Sequence, residues 1–232
     1  MAKCKTQAVL FDLDNTLYDE RDYFLLAFER IARHLAPLCR RDSSQLDGWM
    51  TAAFDKKGSQ YPKFFKFVLE ELGVYSPTLD EEVLDLYKTV AGGLTLYPDA
   101  DEVLTWLRGR VKLALVTNGI AEAQANKVAL LGIQPRFDHI CYARAFGKEY
   151  EKPNTLPFVK TLSALEVPAD RAVYVGDDPR TDISGAKRAG MVAIRIRRAA
   201  APQPQSPDTW RADVELDTLQ GLPAYLGVDG QG

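Results

Sequence analysis

Asp12 and Asp14 stand two residues apart at the end of the apolar run Ala8-Val9-Leu10-Phe11, and the hydroxyl of Thr16 follows at the same spacing. The run has the length of a buried strand. Alternate residues of an extended chain share a face, so both carboxylates leave the strand on one side of the backbone. Two acids that converge in this way either hold a cation or do acid/base work. Three further groups could join them: Thr117 with Asn118, Lys152, and Asp177 with Asp178 and Asp182. Thr117 and Asp177 follow the apolar runs at 111–116 and 172–175, and Lys152 sits in the polar loop that leaves a weaker run at 140–143. In an open parallel α/β sheet, ligands bind beyond the carboxyl ends of the strands, so a parallel arrangement would bring all four groups to one edge.

The rest of the chain must supply that sheet. Between residues 19 and 90 the apolar spacing is helical throughout. A helix opening at Asp19 or Asp22 carries Phe24, Phe28, Ile31 and Leu35 and is expected to close before Pro37. A second is expected over 44–54, a third over 61–72 with Gly73 as its stop, and a fourth from a cap at Thr78 or Asp80. Four amphipathic helices with no strand between them read as a small bundle inserted after the first strand. Gly92-Gly93 marks a hinge, and Pro98 begins the next helix. Strands at 111–116, 140–143, 172–175 and 192–196 then alternate with helices at 121–131, 156–165 and 183–189. Residues 199–207 read as an exposed loop, 214–216 as an edge strand and 219–226 as a last helix. Repeated βα units of this kind imply an α/β fold with a doubly wound parallel sheet and right-handed crossovers. The expected division is an α/β core of residues 1–17 and 92–232, with an all-helical domain over 18–91.

Composition narrows the function. The chain of 232 residues is 46% hydrophobic and 26% charged, enough for a sizeable core. Lys+Arg 29 against Asp+Glu 32 leaves a net charge of −3, with no basic excess for a nucleic-acid polymer or an anionic membrane. Cys4, Cys39 and Cys141 are scattered, with only His34 and His139 as imidazole partners, which argues against a disulfide framework and a zinc site. With no leader-like or membrane-spanning stretch in view, the expectation is a cytoplasmic enzyme, monomeric or homodimeric.

The four groups, in this order and each after a strand, resemble the motifs of the haloacid dehalogenase superfamily of phosphohydrolases. The DxDxT pattern is Asp12-Leu13-Asp14-Asn15-Thr16, the second motif's Thr is Thr117 in Val116-Thr117-Asn118-Gly119, and the third motif's Lys is Lys152 in Lys152-Pro153. The acidic fourth motif is Gly176-Asp177-Asp178-Pro179-Arg180-Thr181-Asp182. The match runs from Val9 to Arg195, and the helical insertion resembles the superfamily's C1-type cap. The resemblance implies a Rossmann-like core and a Mg²⁺-dependent phosphatase acting on a small phosphorylated metabolite.

The chemistry of the residues agrees with that implication. A carboxylate can attack phosphorus and form an acyl phosphate, a role that falls to Asp12. Its charge must approach an anionic phosphoryl group, which a cation between them makes feasible. Mg²⁺ suits oxygen ligands, here Asp12, Asp177 and the backbone carbonyl of Asp14, with Asp178 or Asp182 as direct or water-mediated support. Asp14 is expected to protonate the leaving alkoxide and then take a proton from water. Thr117 and Lys152, with Thr16 and the backbone N–H groups near Leu13 and Asn118, are expected to hold the phosphoryl oxygens. Lys148 competes with Lys152 for that role. Asp19, Asp99 and Asp138 read as caps or turn formers, and Arg195, Arg197 and Arg198 as a solvent-facing run.

A phosphosugar mutase or a 2-haloacid dehalogenase would use the same scaffold, and a non-catalytic phosphoacceptor would use a similar one. A dehalogenase needs no acid two residues after its nucleophile, so Asp14 points to phosphate chemistry. Tyr18, Asp19, Arg21, Tyr23 and residues 56–63 are candidates to face the leaving group. A nucleoside monophosphate and a sugar phosphate are both open as substrates.

Overall fold

The computed structural model describes residues 6–58, 61, 63–198 and 210–226. The expected loop at 199–207, Cys4 and part of the 56–63 stretch lie outside the described residues. The chain divides into two compact units, residues 20–94 and residues 1–19 with 95–232.

The first unit is helical: α1 (Glu20–Cys39), α2 (Ser43–Lys57), α3 (Phe64–Glu71) and α4 (Pro77–Lys88). α1 does not close before Pro37 but runs on to Cys39. A proline in the last turn removes one backbone donor, and the end is secured by Arg40 in the left-handed region at φ 51° and by the Arg41 N–H donating to the Ala36 carbonyl. α2 starts one residue earlier than expected because the Asp42 carboxylate accepts from the Ser44 and Gln45 N–H groups at 2.9 and 3.1 Å. α4 is capped by Ser76 rather than Thr78 or Asp80, with Pro77 at its first position. Facing apolar stripes meet in a cluster of rings: Phe24 lies 4.4 Å from Phe54, and Phe28 lies 5.5 Å from Phe64, centroid to centroid. Tyr23 belongs to this core, fully buried with its hydroxyl donating to the Tyr87 carbonyl at 2.6 Å, so it does not face a leaving group. Arg21 is likewise engaged, by both oxygens of Asp55.

The second unit holds β1 (Ala8–Phe11), α5 (Pro98–Leu107), β2 (Lys112–Thr117), α6 (Ala121–Leu130), β3 (His139–Tyr142), α7 (Leu156–Leu165) and β4 (Ala172–Gly176). It continues with α8 (Ser184–Arg188), β5 (Val192–Ile196), β6 (Val214–Leu216) and α9 (Pro223–Leu226). All five strand pairings are parallel, in the order β3-β2-β1-β4-β5-β6. β1 is central and fully buried, which its unbroken apolar run allows. Leu10, Ala114, Tyr174, Phe158 and Leu162 lie in one buried cluster of this unit.

Several expectations give way here. The helix expected over 183–189 is preceded by a π-turn at Pro179–Ile183, and the last helix is split into a 3₁₀ turn at Leu219–Gly221 and α9. Arg195 and Arg198 are buried, and only Arg197 of the expected charge run is exposed. Asp99 does not cap α5; it accepts from Arg198, from the Thr218 hydroxyl and from the Leu219 N–H. Asp138 accepts from the Leu113 N–H at 2.7 Å and ties down the start of β2. Among the described residues no helix is long and apolar enough to cross a membrane.

Candidate active site

Register sets the first contacts. Phe11 pairs with Leu115 and with Val175, so one step further Asp12 stands level with Val116 and Gly176, and Thr117 and Asp177 follow. The Asp12 N–H donates to the Val175 carbonyl at 2.9 Å, which extends the ladder to the residue that carries the carboxylate.

Lys152 reaches this edge from the loop after β3. Its ammonium donates to Asp12, to Asp182 Oδ1 at 2.7 Å and to the Tyr174 hydroxyl at 2.9 Å, so its three donors have three acceptors. The loop is held by Asn118, whose Nδ2 donates to the Lys152 carbonyl at 2.9 Å while its Oδ1 accepts from the Lys152 N–H at 2.8 Å. Glu151 adds a second tie, accepting from the Gly119 N–H at 2.6 Å and from Arg144. The Lys152-Pro153 peptide is cis. Lys148, the competing lysine, is exposed in a 3₁₀ turn at Lys148–Tyr150.

One carboxylate oxygen each from Asp12, Asp177 and Asp182 lies within 4.8 Å of the other two. Gly176 makes room for this: a Cβ there would meet Asp182 Cγ at 2.5 Å. The π-turn folds Asp182 back to the strand end, where its Oδ2 accepts from the Asp178 N–H at 3.0 Å. The Asp178 carboxylate turns the other way, accepting from the Arg180 N–H at 2.7 Å and from Arg180 Nη2 at 2.9 Å. Asp182 therefore takes the place beside Asp12 and Asp177 that the sequence left open between it and Asp178.

Burial pushes the Asp12 carboxyl up to about 8; Lys152 works in the opposite direction, and the charges of Asp182 and Asp14 add to the rise. Asp177 is raised well above the ordinary carboxyl value by burial and by Asp182, Asp12 and Asp178. Burial opposes the charged form of Lys152, but Asp12 and Asp182 outweigh it and its ammonium is held firmly. Fully ionised, the three acids would carry more negative charge than one ammonium can neutralise, and this repulsion is part of what raises Asp12 and Asp177. A hard dication would restore the balance, and an all-oxygen set of carboxylates is the donor chemistry that Mg²⁺ takes.

Asp14 points into different surroundings. Its carboxylate accepts from the Tyr18 hydroxyl at 2.6 Å, Lys127 Nζ at 2.7 Å and Gln124 Nε2 at 2.9 Å. Tyr18, a candidate to face the leaving group, is thus buried against Asp14. Thr16 Oγ1 donates to Asp12 Oδ2 at 3.4 Å, and the buried Thr117 hydroxyl donates to the Asn118 carbonyl at 3.3 Å. Leu13 is fully buried, its carbonyl accepting from the Thr16 and Leu17 N–H groups at 3.3 and 3.0 Å.

Three residues here carry no expectation from the sequence, Tyr174, Gln124 and Lys127, and a fourth, Arg198, was expected in a solvent-facing run but is buried. Arg198 donates to the Thr16 carbonyl through Nε at 3.2 Å and Nη2 at 2.8 Å, and to Asp99 through Nη1 at 2.7 Å, pinning the turn after Asp14. Gln124 and Lys127 carried a readable signal, a polar pair three apart on the buried stripe of α6 beside Ala123 and Val128.

Residues 9–196 match the model of the haloacid dehalogenase-like hydrolase family. A glyceraldehyde 3-phosphate phosphatase of Methanopyrus kandleri is 35% identical over 198 residues, 83% of this chain and 84% of that one. The crystal structure of a HAD phosphatase from Thermococcus onnurineus superposes with a TM-score of 0.66 at 27% identity, covering 97% of this chain and 99% of the other. That of a 2-haloacid dehalogenase from Pseudomonas syringae gives a TM-score of 0.65 at 27% identity, covering 94% and 97%. The chain belongs to the haloacid dehalogenase-like hydrolase family and is a phosphoric monoester hydrolase.

Proposed function

We propose that the protein is a Mg²⁺-dependent, cytoplasmic phosphatase that hydrolyses a small phosphorylated metabolite through an aspartyl phosphate on Asp12. The observation that carries this is the meeting of the Asp12, Asp177 and Asp182 carboxylates at one strand edge, with Lys152 against two of them.

Asp12, Asp177 and Asp182, with the Asp14 carbonyl, would hold the metal. Bound there, Mg²⁺ supplies charge that lets an anionic nucleophile approach an anionic phosphoryl group. Asp12 attacks phosphorus and Lys152 keeps its carboxylate aimed, offering its ammonium to the phosphoryl oxygens together with Thr117 and the backbone N–H groups near Leu13 and Asn118. Asp14, outside the acidic cluster and gripped by donors, gives a proton to the leaving oxygen and later takes one from the attacking water. A dehalogenase has no use for that second acid, which favours phosphate over halide chemistry.

The helical unit is inserted directly after Asp19 and has its own aromatic core, which fits a cap that selects the leaving group. The similarity to the Methanopyrus glyceraldehyde 3-phosphate phosphatase puts glyceraldehyde 3-phosphate first among the substrates to try, ahead of nucleoside monophosphates and other sugar phosphates. The test is phosphate release from such a panel with Mg²⁺ present, with Asp12→Asn as control. Release that survives in Asp12→Asn, or no release from any monoester, would overturn the reading.

A further inference from the structure

Asp14 is gripped from α6. Lys127 and Gln124, three residues apart on one face of that helix, reach the two oxygens of its carboxylate at 2.7 and 2.9 Å. The Lys127 side chain is fully buried, where an ammonium carries a desolvation cost that a leucine or methionine would avoid. Gln124 is 4% exposed, and its Oε1 has no hydrogen-bond partner among the described residues. Its amide is therefore oriented by what Nε2 gives to Asp14, at the expense of an unmet acceptor. The loop after β2 is cut back to admit it: a Cβ on Gly119, itself at φ +102°, would lie 2.8 Å from Gln124 Nε2. Packing alone explains none of these three features. A need to fix one carboxylate explains all of them.

We infer that Lys127 and Gln124 are positioning residues that act through Asp14 on both proton transfers of the reaction. The inference rests on the acid/base reading of Asp14. In the first half, a bond forms between an Asp12 oxygen and phosphorus, the bond from phosphorus to the leaving oxygen breaks, and that oxygen receives the Asp14 proton. In the second half, water adds to phosphorus, its proton passes to Asp14, and the Asp12–phosphorus bond breaks to return the carboxylate and release phosphate. A loosened Asp14 harms the first half only when the leaving oxygen needs a proton, and always harms the second.

The split is measurable with two esters. Glycerol 3-phosphate leaves as an alkoxide that must be protonated, whereas 4-nitrophenyl phosphate leaves as a stable phenolate. For Lys127→Met, kcat on the alkyl ester should fall about 10- to 100-fold, in the range for loss of an orienting partner, with KM and the Mg²⁺ requirement within about twofold of wild type. On the aryl ester, rapid mixing should show a nitrophenolate burst larger than wild type, followed by slow turnover as phosphoenzyme accumulates. Gln124→Met removes the uncharged donor to the Asp14 carboxylate and should move both readouts the same way by less, with the thermal stability of both variants measured alongside. Equal losses on both esters with no enlarged burst, or losses that follow thermal stability, overturn the inference and leave the proposed function standing. Failure of the wild type to hydrolyse these two esters and every other monoester of the panel overturns both.

Discussion

Lys152 Nζ lies 2.7 Å from Asp182 Oδ1, and the same ammonium touches Asp12. Three acceptors converge on a single nitrogen inside a site where the Lys152 side chain is 2% exposed. A planar fork of five donors cannot reproduce that convergence. Lys152→Arg is therefore expected to behave like Lys152→Met, each losing about 10²–10³-fold in kcat as one oxyanion-stabilising donor is removed. Steady-state kinetics of the two variants check this. An arginine variant close to wild type would show that only the charge, and not its placement, matters.

Asp12 and Asp14 have the same side chain and different neighbours, so their amide variants should fail differently. Asp12→Asn removes the nucleophile and should abolish both phosphate release and incorporation of phosphate into the protein. Asp14→Asn keeps the nucleophile and should cost about 10²–10⁴-fold, the range for general acid/base groups. Trapping experiments with acid-quenched protein distinguish them: phosphate bound to Asp12 should be recoverable from the Asp14 variant alone.

The acidic cluster links metal binding to pH. Asp12 and Asp177 have carboxyls raised above their unfolded value of 3.8, Asp12 to about 8, so without metal the folded state binds protons more tightly than the unfolded state. Stability from this source is fully present at low pH and declines as pH rises from about 4 towards 8. Lys152 is raised above 10.5 and contributes equally across that window. A dication that takes the place of those protons should stabilise most where they are hardest to keep. The rise in Tm on adding Mg²⁺ should be larger at pH 7.5 than at pH 5.5, and EDTA should silence activity that Mg²⁺ then restores. Equal Tm shifts at both pH values would contradict the assignment of Asp12 and Asp177 as ligands.

What could be read from the sequence follows from how local each signal is. The strands at Asp12, Thr117 and Asp177 were legible because an apolar run that stops abruptly at a polar group is visible within a few residues. The choice between Asp178 and Asp182 was not, since it depends on a π-turn that reverses Asp182 onto Gly176, and spacing alone cannot distinguish that turn from an α-helix. Arg198 was misread as surface because its acceptor, the Thr16 carbonyl, lies 182 positions away. Lys127 is legible only as a polar residue on an otherwise apolar stripe: a lysine on a helix is usually solvated, and its partner Asp14 is set by the fold. Pro37 shows the limit of a local rule: a proline ends a helix where the lost bond cannot be spared, and near Cys39 it can.

The way the helical unit joins the α/β unit makes its role separable. The Tyr97 N–H donates to the Leu17 carbonyl at 2.9 Å, two residues inside each boundary, so the chain leaves the α/β unit after Asp19 and re-enters it at Thr95 close to one hydrogen-bonded pair. A short Gly/Ser linker can span that gap at little entropic cost, because closing a loop of a few residues costs less than closing one of seventy-odd. Asp12, Asp14, Lys127, Lys152, Asp177 and Asp182 all lie outside the excised stretch, and so does the Arg198–Asp99 pair that pins the turn after Asp14. Replacing residues 20–94 with such a linker should leave a folded α/β unit that still hydrolyses 4-nitrophenyl phosphate. It should lose discrimination among alkyl monoesters, with the kcat/KM values for the substrate panel converging. A deletion protein that folds and keeps the wild-type order of preference would remove the helical unit from substrate selection and return that role to the α/β unit itself.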